Sequence, residues 1–381
     1  MMIKKKEMGL YIHIPFCIKK CNYCDFLSFQ MNEKEMESYT EALLKELYAQ
    51  GKRYKSFQVK TVFIGGGTPS LLPSSLIEKI LKAVNKNFDL KKLDEYTIEC
   101  NPGTLDRNKI KTYKKYGINR VSLGLQSTNE NELRMLGRVH NFDDFLETFY
   151  ILREEGFKNI NVDLMSALPG QNKNTWEKTL LTVAALSPEH ISAYSLILEE
   201  GTPFYDKYCE KDLPDEETDR NMYYKTKNIL ENMGYLRYEI SNFSKAGFEC
   251  RHNSGYWLRN NYLGCGLGAS SMIENTRFTN TRNMDMYLSE SSNPESIRTD
   301  FNTLTIDEQM EEYMFLGLRM TKGISTLEFE KVFKIMYNDV YGEITRKLII
   351  DGFMEENEER LYLTKKGIDV SNIVLSNFIK N

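Results

Sequence analysis

Cys17, Cys21 and Cys24 stand in a CxxxCxxC spacing, while the four other cysteines, Cys100, Cys209, Cys250 and Cys265, are scattered. With 7 cysteines in 381 residues, independent placement would give such a triple in only on the order of a few chains per thousand. Three thiolates in one tight loop can ligate three irons of a cubane iron–sulfur cluster and leave the fourth iron without a protein ligand, which makes it a reaction site. Zinc is the competing metal. A structural zinc takes four ligands, typically from CxxC pairs, and the nearest fourth here, His13, lies on a strand ahead of the loop and points poorly toward it. An odd cysteine count in a chain of this length speaks against a disulfide framework and for thiols kept reduced.

Polar groups of complementary chemistry follow. Gly65-Gly66-Gly67-Thr68-Pro69 closes a β-rich run, where glycine lets a ligand come close to the backbone. Such a loop could cradle phosphate, but no Gly-Lys-Ser/Thr follows, so a nucleotide P-loop is disfavoured and a tight turn fits as well. Glu99, Gln126 and Asp163 fall at the ends of later β-rich runs, and Arg138 lies in Leu136-Gly-Arg138-Val-His140. Carboxylates suit ammonium and hydroxyl groups; a guanidinium suits a carboxylate. Farther on stands His252-Asn253-Ser-Gly-Tyr256-Trp257, an imidazole with two aromatics. The glycine run Leu263 to Ser270 is not a dinucleotide fingerprint, because Arg-Asn-Asn-Tyr before it is a weak strand and no clear helix follows.

These residues need a scaffold, and the chain supplies a repeating one. From residue 9 to about 200, short β-rich runs alternate with amphipathic segments, the pattern of βα units and a parallel sheet. The spacing predicts strands at 9–14, 60–64, 95–99, 120–125, 159–164 and 190–196, and helices near 33–50, 74–87, 106–116, 142–155 and 174–186. Six units predict an α/β fold: a partial (β/α)6 barrel of TIM type, over residues 1–235. In such barrels the working residues sit at the carboxyl ends of the strands, where the cysteine triple, the glycine loop, Glu99, Gln126 and Asp163 all fall. Residues 236–288 read as an extension carrying the His252 motif, and 289–304 as a linker. Residues 305–381 read as a smaller, mainly helical, winged-helix-like domain with a hairpin around Asn357-Glu358-Glu359. A winged helix often reads DNA, but the acidic run Glu355, Glu356, Glu358, Glu359 favours packing or a protein partner.

Composition excludes several classes. Hydrophobic residues at 41% and aromatics at 12% exclude a disordered chain. Fifty Lys and Arg against 54 Asp and Glu give a net charge of −4, with no overall basic field for nucleic acid. No apolar run is long enough to span a bilayer and no signal core opens the chain, so a soluble, cytoplasmic protein is expected.

The segment Tyr11-Ile-His-Ile-Pro-Phe-Cys17-Ile-Lys-Lys-Cys21-Asn-Tyr23-Cys24-Asp-Phe26 resembles the radical S-adenosylmethionine superfamily, in particular the branch holding oxygen-independent coproporphyrinogen III oxidases (HemN) and HemW-type heme chaperones. The likeness extends over most of the chain, through Gly65–Pro69, Glu99-Cys-Asn-Pro102, Gln126-Ser127, Leu136–His140, Asn161-Val-Asp163-Leu and Leu168-Pro-Gly. It implies a [4Fe-4S] cluster on Cys17, Cys21 and Cys24, whose open iron takes the amino and carboxylate groups of S-adenosylmethionine. An electron from the cluster then splits that cofactor into methionine and a 5′-deoxyadenosyl radical. It further implies that Tyr11 and Tyr23 contact the cofactor, that Gly66, Gly67 and Thr68 hold its methionyl end through backbone groups, and that Glu99, Gln126, Arg138 and Asp163 complete its site.

Within the branch, the oxidase pattern carries a fourth cysteine two places after the third and a longer N-terminal segment. Here Phe26 takes that cysteine's place, and the first cluster cysteine comes after only sixteen residues. Together with the HNxxYW motif, through which the chaperone side is thought to bind heme, these departures favour the chaperone side, with His252 as a heme ligand. Cys250 is a competing thiolate ligand outside the motif, and Ser270 replaces a histidine common in the family's Gly-Ala-His segment. The partners implied are a heme-acceptor protein and an electron donor such as a flavodoxin or ferredoxin, with a homodimer left open. The alternatives are the oxidase itself and a radical enzyme acting on another substrate.

Overall fold

A computed structural model describes residues 5–357 and 360–380. Glu358 and Glu359, the tip of the expected C-terminal hairpin, lie outside the described residues. Six parallel strands follow one another in chain order: β1 (Lys6–Ile14), β2 (Phe57–Gly66), β3 (Glu95–Cys100), β4 (Arg120–Gln126), β5 (Ile160–Ser166) and β6 (His190–Ser195). Between them run α1 (Glu33–Arg53), α2 (Ser74–Asn87), α3 (Arg107–Lys115), α4 (Glu130–Leu136), α5 (Phe142–Glu154) and α6 (Lys173–Ala185). Helix starts are written locally. Asn32 with Glu35, Asn141 with Asp144 and Asn172 with Thr175 form reciprocal capping boxes at α1, α5 and α6.

The strands alternate between two environments. Leu10, Ile12 and Ile14 of β1, and Val62 and Ile64 of β2, join the main core under the helices. Their neighbours Tyr11 and Phe63 instead belong to a separate small cluster with Tyr238, Cys250, Trp257 and Met320 inside the barrel. Period-two alternation in a sheet buried on both faces thus separates a structural core from a lumen.

Beyond β6 come α7 (Pro203–Lys207), α8 (Glu216–Asn232), β7 (Leu236–Arg237), β8 (Asn242–Ser244), α9 (Arg251–Trp257), β9 (Tyr262–Cys265), β10 (Ser270–Ile273), β11 (Thr276–Asn280), α10 (Met284–Glu290) and β12 (Arg298–Thr303). β8 borders β6 antiparallel, and β9 lies parallel to β1, pairing Gly9 with Tyr262 and Ile12 with Cys265. The sheet runs β12-β11-β10-β9-β1-β2-β3-β4-β5-β6-β8-β7. The expected linker at 289–304 is corrected here. Its first residues finish and follow α10, and its second half is the edge strand β12, paired with β11. Residues 299–303 are exposed on both faces, so no alternation marked them as strand.

The C-terminal unit contains α11 (Ile306–Gly317), β13 (Ile324–Ser325), α12 (Thr326–Phe333), α13 (Tyr337–Ile350), β14 (Met354–Asn357), β15 (Arg360–Leu363), α14 (Lys365–Asp369) and α15 (Ser371–Ser376). It has its own core, built on Met314, Phe329, Tyr341 and Phe378. Among the described residues, no helix is long and apolar enough to cross a membrane.

Candidate cluster and cofactor site

The loop after β1 carries Cys17, Cys21 and Cys24, and its ends are tied down. Cys17 N donates to Phe29 O at 3.0 Å and Phe29 N to Pro15 O at 2.7 Å. Midway, Asn22 donates from its backbone to Leu136 O (3.0 Å) and from Nδ2 to Met135 O (2.8 Å), anchoring the loop on α4. His13 is a brace rather than a fourth ligand. Its Nε2 donates to Leu27 O at 2.8 Å, which leaves Nδ1 to accept from the Tyr11 hydroxyl at 2.9 Å.

The three half-buried thiols line one cavity of about 330 Å3 at the carboxyl ends of the strands. Burial raises the pKa of Cys17 and pushes Cys24 up to about 11, so thiolates there call for positive charge or metal. Arg138 Nη1 approaches Cys21 Sγ at 3.4 Å, and the Thr68 hydroxyl approaches Cys17 Sγ at 3.7 Å. Among the described residues, no three of His, Cys, Asp and Glu converge tightly enough to hold a single metal ion. The donor set is three soft sulfurs facing one cavity, with neither His13 nor a carboxylate closing a tetrahedral site, and this suits an iron–sulfur cluster.

The other walls come from five strand ends. Gly66 sits at φ +114°, and a Cβ there would lie 2.4 Å from the His13 ring. The N–H groups of Gly66, Gly67 and Thr68 are spent on Glu99 Oε2 (3.0 Å), Ile14 O (2.9 Å) and Phe16 O (2.7 Å). What the glycine loop can offer a ligand is therefore carbonyl oxygen, an acceptor matched to an ammonium group. Burial, with Asp163 adding, pushes Glu99 up to about 8. Asp163 is raised by burial as well, though it accepts from Asn161 Nδ2 (2.7 Å) and Ser122 Oγ (3.1 Å). Two half-buried carboxyls facing one cavity suit a cationic ligand with hydroxyl groups.

Gln126, at φ +75°, ends β4 in a register shift, and its Oε1 accepts from Tyr194 OH at 2.8 Å. Arg138, half-buried, donates from Nη2 to Asn101 Oδ1 (2.7 Å) and Gly124 O (2.5 Å). Tyr23, Gly66, Gly67, Thr68, Glu99, Gln126, Arg138 and Asp163 thus line the cavity with the cysteines. Sequence reasoning missed Asn101, Ser122, Ser192 and Asn253, which line it too. For Ser122 the signal was available: it shares strand parity with Gln126.

Two expected residues are not in this cavity. Tyr11 faces the lumen one level lower, bonded to His13 and stacked on Phe63 at 6.3 Å. His252 lies on α9, which fills the lower lumen, and it is 3% exposed. Both ring nitrogens are hydrogen-bonded, Nδ1 to Thr61 Oγ1 at 2.8 Å and Nε2 to Tyr256 OH at 2.9 Å, and the ring stacks on Phe63. Burial, helped by the Arg120 charge, lowers its pKa to about 3, so the imidazole is neutral. In this arrangement neither nitrogen is free to ligate iron. Cys250 is buried beside it, its thiol against Glu95 Oε1 at 3.5 Å.

Residues 11–183 match the Radical SAM superfamily and residues 304–370 match the HemN C-terminal domain. The heme chaperone HemW of Lactococcus lactis is 36% identical over 380 residues, 98% of each chain. This chain belongs to the HemW family of radical SAM proteins. HemW of Bacillus subtilis agrees at 36% identity, covering 97% of this chain and 98% of its own. The fold of coproporphyrinogen III oxidase (HemN) from Escherichia coli superposes with a TM-score of 0.87 at 22% identity, over 98% of this chain and 90% of that one. This chain and HemN therefore share one architecture, which by itself does not assign a function.

Proposed function

We propose that the protein holds a [4Fe-4S] cluster on Cys17, Cys21 and Cys24 with S-adenosylmethionine beside it, and that it binds heme and passes it to an acceptor protein. Arg138 would meet the cofactor carboxylate. The Gly66 and Gly67 carbonyls and Glu99 would receive its ammonium group, and Asp163 its ribose hydroxyls. When bound, the cluster supplies the electron that cleaves S-adenosylmethionine. A one-electron donor such as a flavodoxin or ferredoxin would restore it in the cytoplasm. His252, a neutral imidazole, would ligate heme iron after leaving Thr61 and Tyr256.

The observation that carries heme handling over porphyrinogen decarboxylation is the likeness to HemW proteins along the whole chain, at 36% identity against 22% to HemN. Asn242 and Asn253, from beyond the six βα units, line the cavity of about 330 Å3. Parallel assays test this: hemin titration of wild type and His252→Ala, and carbon dioxide release from coproporphyrinogen III with reductant and S-adenosylmethionine. A coordination spectrum that changes in the variant, without decarboxylation, is expected. Stoichiometric decarboxylation, with heme spectra indifferent to His252, would replace this reading by the oxidase.

A further inference from the structure

α9 has little stability of its own. It is seven residues long with Gly255 inside, far below the length at which an isolated helix holds in water. Its N-terminal end is fixed by the barrel, because the Glu95 carboxylate accepts from Arg251 N at 2.7 Å and His252 N at 3.3 Å. Its C-terminal end is fixed by the C-terminal unit. The Arg319 guanidinium lies 4.5 Å over the Trp257 ring, and Glu312 of α11 takes Arg259 Nε at 3.0 Å and Arg277 Nη2 at 2.8 Å. The Glu312 and Arg259 side chains are nearly buried, so removing one partner leaves an uncompensated charge.

This clamp is not a relaxed joint. Arg259 holds φ +55°, a strained value for a side-chain-bearing residue, directly after α9. The Trp257 indole N–H and Arg319 Nε are buried without a hydrogen-bond partner. Beside the helix lies a cavity of about 660 Å3, walled by His252, Tyr256 and Leu258, with room for the C-terminal end of α9 once those contacts are broken.

We propose that the C-terminal domain is a latch on α9: while Glu312 and Arg319 hold its end, the Tyr256 hydroxyl stays bonded to His252 Nε2, and their release draws Tyr256 away and opens that nitrogen to the adjoining cavity. The latch rests on the reading of His252 as a heme ligand, and its test separates the two. Glu312→Gln and Arg319→Ala are each compared with wild type by hydrogen exchange of residues 251–257, without heme, and by the rate of hemin association. Cluster iron and sulfide serve as the control for intact protein. Losing a charge-assisted contact should speed α9 exchange about tenfold or more, and hemin association by a similar factor. Unchanged exchange in both variants overturns the latch, whatever hemin does. Faster exchange with hemin association at the wild-type rate overturns the link to heme. If His252→Ala in the Arg319→Ala background also leaves the heme spectrum untouched, the ligand reading itself has failed.

Discussion

Gly66→Ala puts a number on how tightly the glycine loop is fitted to the cluster strand. At φ +114° any L-residue is strained, a cost of about 1–3 kcal/mol. The added Cβ would lie 2.4 Å from both Cε1 and Nδ1 of His13. That ring cannot simply retreat, because Leu27 O and Tyr11 OH hold its two nitrogens. Overpacking a closed site costs about 1–3 kcal/mol more, so the expected loss is about 2–6 kcal/mol. Gly170→Ala is the control: φ is +75° and nothing lies within 4 Å of the new Cβ, which leaves left-handed strain alone, about 1–2 kcal/mol. Urea denaturation of both apoproteins gives the difference, and the spectrum of the reduced cluster gives cofactor affinity. Since Gly66 N donates to Glu99, affinity for S-adenosylmethionine should fall at least about tenfold in Gly66→Ala. A stability difference below about 1 kcal/mol between the two variants would refute the reasoning, because it would mean the His13 ring yields freely.

Changing Cys17, Cys21 or Cys24 to Ala should abolish labile sulfide and the reduced-state EPR signal; stoichiometric zinc in the wild type without sulfide would sink the cluster. Asp163→Asn should weaken S-adenosylmethionine binding roughly ten- to a hundred-fold with cluster content unchanged, read from the cofactor's perturbation of the cluster spectrum. Glu99 gives a pH signature in the cofactor-free protein. Its folded pKa of about 8 lies above the unfolded value, so the folded chain keeps a proton that the unfolded chain has lost, and stability falls as pH rises toward 8. Glu99→Gln should flatten urea midpoints across that window; a wild-type curve already flat there would show that the carboxyl is not held protonated.

The barrel was legible because each βα unit states itself twice, in strand alternation and in capped amphipathic helices such as Asn32 with Glu35. Strand ends shifted by a few residues, as at β2, which begins at Phe57 rather than Lys60, without disturbing which residues reach the carboxyl face. Tyr11 shows what sequence pattern leaves out. It faces the lumen, but height along the strand decides whether a residue meets the cofactor cavity. The HNxxYW segment was harder still: a short helix with Asn253 and Gly255 has no helical signature, and its burial is set by Glu95, Phe63 and Glu312, distant in sequence. The same holds for β12, whose exposed residues carry no periodicity and become a strand only by pairing with β11.

The strand that carries the cluster loop is the first to be made and among the last to be enclosed. β1 gains β2 on one side early, but its other neighbour, β9, arrives some 250 residues later, and Gly266 of the following turn packs against the His13 carbonyl. A growing chain therefore presents its three cysteines on the loop after a half-bordered strand during most of synthesis, because such distant pairings form late. Iron–sulfur loading and completion of the barrel must then be close in time, and truncations before residue 265 should hold cluster poorly even though every ligand is present.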